Sequence, residues 1–295
     1  MTTIGFVGLG RMGGNMAARL MEAGYAVCGT ARNREHVQSL SDGGLDWRDT
    51  ARELAEAVEV VFTSLPDDDA LLAVASGPDG IIAGLATGKV WVDTSTVSPL
   101  MARGLARRVR EHGAALLASP VSGSVPQVRS GSLTIIVGGQ RDAFAGVEPI
   151  LRELGTPYYL GDNDQALILK LAINVSLAVQ TLAFAEGYLL ALRSGVDADV
   201  ARDLMMSSAI ASPALKARAP LMLDPPQEAW FDIGFMQKDL ELALEAASQL
   251  QVPLPSAGRA DEVLTVAQEL GFEHRDIAAL LQVLRRMGAA NGMAA

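Results

Sequence analysis

Ile4-Gly5-Phe6-Val7-Gly8-Leu9-Gly10-Arg11-Met12-Gly13-Gly14-Asn15-Met16 decides how this chain is read, because an apolar run gives way to spaced glycines and then to helical periodicity. Residues 4–7 read as a strand and residues 12–23 as the helix that follows. In that setting Gly8 permits a tight turn, Gly10 lets the backbone approach a pyrophosphate, and Gly13 lets helix and strand pack closely. The first helical turn offers its N–H groups and positive dipole end to a phosphate. Gly8, Leu9, Gly10, Arg11 and Met12 are therefore candidate cofactor-binding residues.

Outward from that turn, residues 25–30, 58–64, 90–93, 115–118, 133–137 and 158–160 read as further strands. Residues 34–40, 67–75, 99–112 and 143–154 read as helices between them. The alternation is that of repeated βαβ units and a parallel sheet. After Gly161 the strand pattern ends, and from Gln165 onward the chain reads as helices punctuated by Gly, Pro and Asp-rich turns. The expected architecture is an α/β Rossmann-type, doubly wound N-terminal domain over residues 1–162 and an all-α C-terminal domain over residues 163–295. A long helix over about residues 165–194 joins them, and the C-terminal domain is expected to serve substrate binding and dimerisation. Hydrophobic residues lie nearly all round that helix, so a second domain or a partner subunit must cover it. Its charge-free stretch, residues 171–185, is shorter than the ~20 residues a bilayer needs and is interrupted by Asn174, Ser176 and Gln180. It is expected to be buried in protein, not lipid.

A chain of 295 residues suits two medium domains better than one core. Its net charge of −10 repels phosphate backbones, so nucleic acid is not expected as a partner. The basic run from Arg103 to Arg110 reads as the solvated face of a helix. The single cysteine, Cys28, cannot form an internal disulfide and fits a reducing compartment. The N-terminus enters a strand pattern with neither a basic n-region nor a small-residue cleavage site, so a cytoplasmic location is expected. His36, His112 and His274 are scattered and lack the paired spacing of a zinc site, so no metal is expected. Ser122 lacks the G-x-S-x-G context of a nucleophile elbow.

The end of the second strand faces the ribose 2′ position and so selects the nicotinamide cofactor. An NAD enzyme places an acid there, whereas this chain reads Thr30-Ala31-Arg32-Asn33-Arg34 with no acid until Glu35. NADP(H) is therefore expected. The planar guanidinium of Arg32 is the first choice to pair with the 2′-phosphate, helped by Asn33 and Arg34.

Four separated motifs then resemble the β-hydroxyacid dehydrogenase family, which includes 3-hydroxyisobutyrate dehydrogenases and glyoxylate/succinic semialdehyde reductases. Gly5 to Met16 matches that family's G-x-x-G-x-G-x-M-G-x-x-M, and Asp93-Thr94-Ser95-Thr96-Val97-Ser98-Pro99 is similar to its D-x-S-T-x-x-P. The resemblance implies that Thr96 contacts the nicotinamide end and that Leu65-Pro66 covers the adjoining ribose. Pro120-Val121-Ser122-Gly123, with Gly131, Leu133-Thr134 and Gly138-Gly139 downstream, resembles the segment that binds a substrate carboxylate. Ser122 and Gly123 inherit that role. Ser124 with Pro126 resembles the glyoxylate/succinic semialdehyde reductase branch, which adds Ser124 to the substrate set. Lys170 with Asn174 resembles the catalytic K-x-x-x-N, and Phe235 to Leu240 resembles F-x-x-K-D-L, whose lysine, here Lys238, lies near the cofactor. Pro253 to Pro255 and Asp276 fit the family's tail loosely. One departure stands out: before the catalytic lysine the family usually has a Gly-rich turn, but here Gly161 is followed by Asp162-Asn163-Asp164-Gln165-Ala166.

Carbonyl reduction by a nicotinamide needs near-attack geometry, a proton source for the alkoxide and an anchor for the substrate. Lys170 can supply the proton and stabilise the oxyanion, and its apolar neighbours Leu167, Leu169 and Leu171 are expected to lower its pKa. Asn174, one turn on at i+4, shares its face. The reading is an NADP(H)-dependent oxidoreductase that interconverts a small hydroxy acid with its semialdehyde or oxoacid, acting as a homodimer or homotetramer. Imine reductases share this architecture but usually carry Asp or Tyr where Lys170 stands. A non-catalytic NADPH-binding module is the third possibility, against which the Lys170/Asn174 pair weighs.

Overall fold

Strand β1 (Thr3–Val7) is buried from Ile4 to Val7, and the glycine turn leads from it into α1 (Arg11–Glu22), which buries Met16, Ala17 and Leu20. The computed structural model describes residues 2–34 and 37–292, so Glu35 and His36 lie outside the described residues. The chain continues through β2 (Ala26–Thr30), α2 (Gln38–Asp42), β3 (Asp46–Trp47), α3 (Ala51–Ala57), β4 (Val60–Thr63), α4 (Asp68–Ala75) and α5 (Ile81–Gly84). Next come β5 (Val90–Asp93), α6 (Pro99–Glu111), β6 (Ala115–Ala118), β7 (Val121–Ser122), α7 (Val125–Arg129), β8 (Leu133–Gly138), α8 (Arg141–Leu154) and β9 (Gly155–Gly161). Of the helix expected over residues 34–40, Glu35 and His36 lie outside the described residues, and α2 covers Gln38–Asp42. The two-residue strands β3 and β7 and the short helices α3, α5 and α7 carry too few residues to show a period, and the sequence does not announce them.

Among the described residues, nine strands form one sheet in the order β3-β2-β1-β4-β5-β6-β8-β7, with β9 paired to β8. The neighbours from β3 to β6 run parallel, as βαβ units require. The sheet is nevertheless mixed, not wholly parallel, because β8 runs antiparallel to both β6 and β7. The connection through α7 is shorter than the dozen or so residues a parallel crossover needs, so the chain turns back on itself there. Phe6 stacks on Phe62 across β1 and β4 at 5.0 Å in the core beneath the glycine turn.

After β9 the regular structure is helical: α9 (Asn163–Arg193), α10 (Ala198–Ser207), α11 (Pro213–Leu223), α12 (Ile233–Leu250), α13 (Pro255–Glu269), a 3-10 turn (Ile277–Ala279) and α14 (Leu280–Gly292). The chain divides into two compact units, one ending at Lys170 and the other beginning at Leu171. The domains expected to meet at residues 162/163 do so where α9 begins, and the compact units part eight residues later, inside α9, because the start of that helix is tied to the sheet unit. Asn163 hydrogen-bonds to β6 and Asp164 pairs with Arg103 of α6. The second unit has its own core of Tyr188, Ile233, Met236, Leu240, Ile277 and Leu281. Asp276 is buried there, pairing with Arg218 at 2.8 Å and accepting from the backbone N–H groups of Trp230, Phe231 and Ala278.

Helix α9 is long and apolar enough, by length and composition, to cross a membrane. In this chain its first turns belong to the sheet unit, and Ala178, Ala185 and Tyr188 lie in the helical core. The expected cover is incomplete within one chain, since Leu190 is 73% exposed.

The glycine turn separates packing from function. A Cβ at Gly13 would lie 2.0 Å from Gly8 O and 3.0 Å from Ser64 Cβ, whereas a Cβ at Gly10 would meet nothing within 4 Å. Gly13→Ala is expected to lower Tm by about 5 °C or more and Gly10→Ala by no more than about 2 °C, read by calorimetry.

Candidate active site

The sheet unit gathers most of the candidate residues at the C-terminal ends of its parallel strands, where doubly wound sheets bind ligands. Gly8 takes φ +92°, and a Cβ there would lie 2.5 Å from Ser64 O, so the turn after β1 sits directly on the loop after β4. Gly10 is exposed, and no side chain caps α1, whose first turn has no acidic residue. The turn therefore presents helix N–H groups beside an open space that any Cβ at Gly10 would occupy. That is the environment a dinucleotide pyrophosphate requires, and the residues present fit it. Leu9 is buried beneath the turn, Arg11 is exposed, and Met12 is half-buried.

At the end of β2, Arg32, Asn33 and Arg34 are all exposed. The Arg34 guanidinium lies 5.2 Å from the centre of the Trp47 ring on neighbouring β3. No carboxylate stands in this segment up to Arg34.

The loops after β4 and β5 are joined by a buried polar network that sequence reading does not reveal. Thr63 and Asp93 are register partners on β4 and β5. Asp93 Oδ1 accepts from Thr63 Oγ1 at 2.6 Å and from Ser95 N at 3.2 Å, while Trp91 Nε1 donates to Thr63 Oγ1 at 2.9 Å. Ser95 Oγ in turn accepts from Leu65 N at 2.9 Å. Farther out, Asp68 accepts from Ser98 N at 2.8 Å and Ser98 Oγ at 2.5 Å. Leu65-Pro66 and Thr96 are thereby fixed against each other, all three half-buried. Burial pushes the Asp93 carboxyl up to about 6, against the lowering effect of its bonds to Ser95 and Thr63, with nearby Asp68 raising it further.

Beyond β6 the chain passes through Ser119-Pro120 into β7, where Ser122 pairs with Thr134 of β8. Gly123 takes φ +133°, and a Cβ there would lie 2.8 Å from Leu133 Cδ2. Ser124 opens α7 as its N-cap, and Gln127 Oε1 accepts from both Ser124 N, at 2.9 Å, and Ser124 Oγ, at 3.0 Å. The Ser124 hydroxyl proton is thus engaged in capping, which leaves Ser122 and the Gly123 backbone as the donors a carboxylate can meet.

Lys170, on the third turn of α9, is 9% exposed, with Leu167 and Leu171 buried beside it. Asn174 follows one turn later and is 2% exposed. Within the helical unit, Asn174 Nδ2 donates to Asp239 Oδ2, and Asp239 Oδ1 pairs with Lys238 Nζ at 2.9 Å. The buried Asp239 thus ties two candidate residues together and fixes which end of the Asn174 amide is turned away from it. The only hint of this in the sequence is the acid beside Lys238. Among the described residues no group of three or more His, Cys, Asp or Glu side chains could hold a metal ion.

Comparisons with known proteins agree with this layout. A family profile described as the NAD binding domain of 6-phosphogluconate dehydrogenase matches residues 3–162. A second, described as the NAD-binding of NADP-dependent 3-hydroxyisobutyrate dehydrogenase, matches residues 165–284. The chain is 30% identical to glyoxylate/succinic semialdehyde reductase 2 of Arabidopsis thaliana, over 96% of this chain and 79% of that protein. It is 33% identical to 2-hydroxy-3-oxopropionate reductase of Escherichia coli K12, over 96% of this chain and 97% of the relative. Its structure superposes on that of a 3-hydroxyisobutyrate dehydrogenase from Salmonella typhimurium with a TM-score of 0.87 at 26% identity, covering 96% of this chain and all of the other.

The raised Asp93 carboxyl has a signature in stability. Between the ordinary carboxylate range and about pH 6 the folded state keeps this proton while the unfolded chain has released it, so stability falls as pH rises through that window and is flat above it. Relative to Asp93→Asn, the wild type is expected to lose about 2–3 kcal/mol between pH 4 and pH 7, measured by denaturant unfolding.

Proposed function

Because the chain belongs to the β-hydroxyacid dehydrogenase family, a family of nicotinamide-dependent oxidoreductases, we propose that it interconverts a small hydroxy acid with its semialdehyde or oxoacid, using NADP(H) and Lys170 as proton-transfer residue. The observation that carries this reading is the near-complete burial of Lys170, with Asn174 one turn further along the same helix. A charge taken so far out of water has to be held in a fixed place, which a proton-transfer group also requires. The nicotinamide supplies the hydride; the chain supplies everything else.

The Gly8–Gly13 turn holds the pyrophosphate, and the Leu65-Pro66 and Thr96 loops, locked through Asp93 and Ser95, hold the nicotinamide riboside. Ser122 and the Gly123 N–H bind the substrate carboxylate. Lys170 donates its proton to the carbonyl oxygen during reduction and takes it back from the hydroxyl during oxidation. Asn174, its amide fixed by Asp239, holds the reacting oxygen or the lysine in line. The exposed Arg32, with Asn33 and Arg34, favours the 2′-phosphate of NADP(H). The size class favoured is that of glyoxylate and succinic semialdehyde, on the likeness to the Arabidopsis reductase. An imine reductase is disfavoured by the lysine itself, since Lys170 stands where those enzymes usually carry Asp or Tyr.

The exposed apolar side of α9, Leu190 included, is assigned to a second copy of the chain, giving a homodimer or a tetramer built from it. The buried thiol of Cys28, which is in no disulfide, suits a cytoplasmic setting.

The direct test is NADPH oxidation over a panel of short semialdehydes, 2-oxoacids and cyclic imines, repeated with NADH and with Lys170→Ala and Arg32→Ala. Turnover is expected with a semialdehyde or 2-oxoacid, with kcat reduced at least about 100-fold in Lys170→Ala. Arg32→Ala is expected to raise KM for NADPH about tenfold and leave KM for NADH unchanged. Turnover of imines alone, or full activity in Lys170→Ala, contradicts the reading.

A further inference from the structure

We infer that Asn163 is a positioning residue for the reaction: its side-chain amide, docked on the edge of β6, sets the rotation and height at which α9 presents Lys170. The inference rests on the assignment of proton transfer to Lys170 made above.

Strand β6 has two edges. Ala115 N and Ser119 N donate to Lys89 O and Asp93 O, so its odd-numbered residues face β5. The even-numbered groups, Leu116 C=O and Ala118 N–H, face the opposite edge, where β8 pairs with β6 only at Ala118↔Gly138. Asn163 serves that edge. Its Oδ1 accepts from Ala118 N at 2.8 Å and its Nδ2 donates to Leu116 O at 3.4 Å. The amide has one acceptor and one donor end, and the strand offers one donor and one acceptor, so only one orientation satisfies both. A side chain at the start of a helix thereby stands in for a residue of a neighbouring strand.

The surroundings are shaped to admit it. A Cβ at Gly139 would lie 2.8 Å from Leu116 O and 3.0 Å from Asn163 Oδ1, and one at Gly138 would lie 2.2 Å from Asp162 O. Gly139 N donates to Gly161 O at 2.6 Å, and Gln165 Oε1 reaches back to accept from Asp162 N at 3.2 Å. Asp164 adds the ion pair with Arg103. The helix start is therefore held against β6 and α6 by this chain's own polar side chains, where the family usually has a Gly-rich turn.

Helical geometry carries the anchor to Lys170. Lys170 lies seven residues beyond Asn163, about 20° short of two full turns and about 10 Å along the axis. Both residues therefore stand on one face of α9, and the strand that receives Asn163 runs on through Ser119 and Pro120 to Ser122 and Gly123. A slip of α9 at its start would displace the ammonium relative to the loop assigned to the substrate carboxylate. Misplacement by about 1 Å costs on the order of 100-fold in rate.

The test compares wild type, Asn163→Ala, Asn163→Asp and Lys170→Ala with succinic semialdehyde and NADPH. It records kcat, KM, the pH profile of kcat, NADPH affinity by fluorescence titration, and Tm. Asn163→Ala is expected to lower kcat at least tenfold and shift the pH profile, with KM and NADPH affinity held within about twofold. Asn163→Asp, which keeps the acceptor for Ala118 N, is expected to recover kcat to within about threefold of wild type. Should Asn163→Ala not fold, Asn163→Ser, too short to bridge Leu116 and Ala118, carries the same expectation. Wild-type kcat and pH profile in the Ala or Ser variant, with Lys170→Ala inactive, overturns the inference alone. So does a loss of kcat accompanied by an equal loss of NADPH affinity. Full turnover in Lys170→Ala overturns the assignment on which it rests.

Discussion

Burial of an ammonium group is the constraint on which the rest of this structure depends. Lys170 is 9% exposed, and taking such a charge out of water costs several kcal/mol unless its position and partners are fixed. A flexible surface lysine needs no scaffold; a buried one does. Here the scaffold is a helix whose start is stitched to β6 and α6 through Asn163 and Asp164, and whose later turns contribute Ala178, Ala185 and Tyr188 to a separate helical core. The backbone that carries Lys170 cannot shift without disturbing packing at one end or hydrogen bonds at the other.

Within each unit, polar contacts more than apolar ones set the loops. The core of the sheet unit, with Phe6 stacked on Phe62, holds the strands, but apolar packing has no directional preference. Direction comes from Thr63, Asp93 and Ser95, which lock the ends of β4 and β5, and from Gln127, which caps α7 through Ser124. On the helical side Asp239 does the same for Asn174 and Lys238. Each buried carboxylate carries a desolvation cost, visible at Asp93 as a carboxyl pushed up to about 6, in exchange for a fixed loop geometry.

What the sequence made legible was local. The glycine turn and the strands around it are written in adjacent residues, and the structure has them within a residue or two. The second half could be read as helical, with bounds only for its long first helix. What could not be read depends on partners distant in the chain. Asn163 meets β6 across 45 residues, Asn174 meets Asp239 across 65, and the Thr63–Asp93 register exists only once two strands pair. The reversal of β8 and the two-residue strands β3 and β7 are likewise products of pairing, not of periodicity. The candidate site was thus visible as a set of motifs, while the contacts through which Asp93 and Asp239 orient it were not.

Proton exchange between the Lys170 amine and the reacting oxygen is the step on which the proposed activity stands. It is tested most directly by the pH dependence of kcat/KM for oxidation of the hydroxy acid, compared between wild type and Lys170→Met. The wild-type rate is expected to climb as the ammonium loses its proton and then level off, and the Lys170→Met rate to be lower by about two orders of magnitude or more and to lack that limb. A Lys170→Met enzyme showing the same limb at a comparable rate would contradict it.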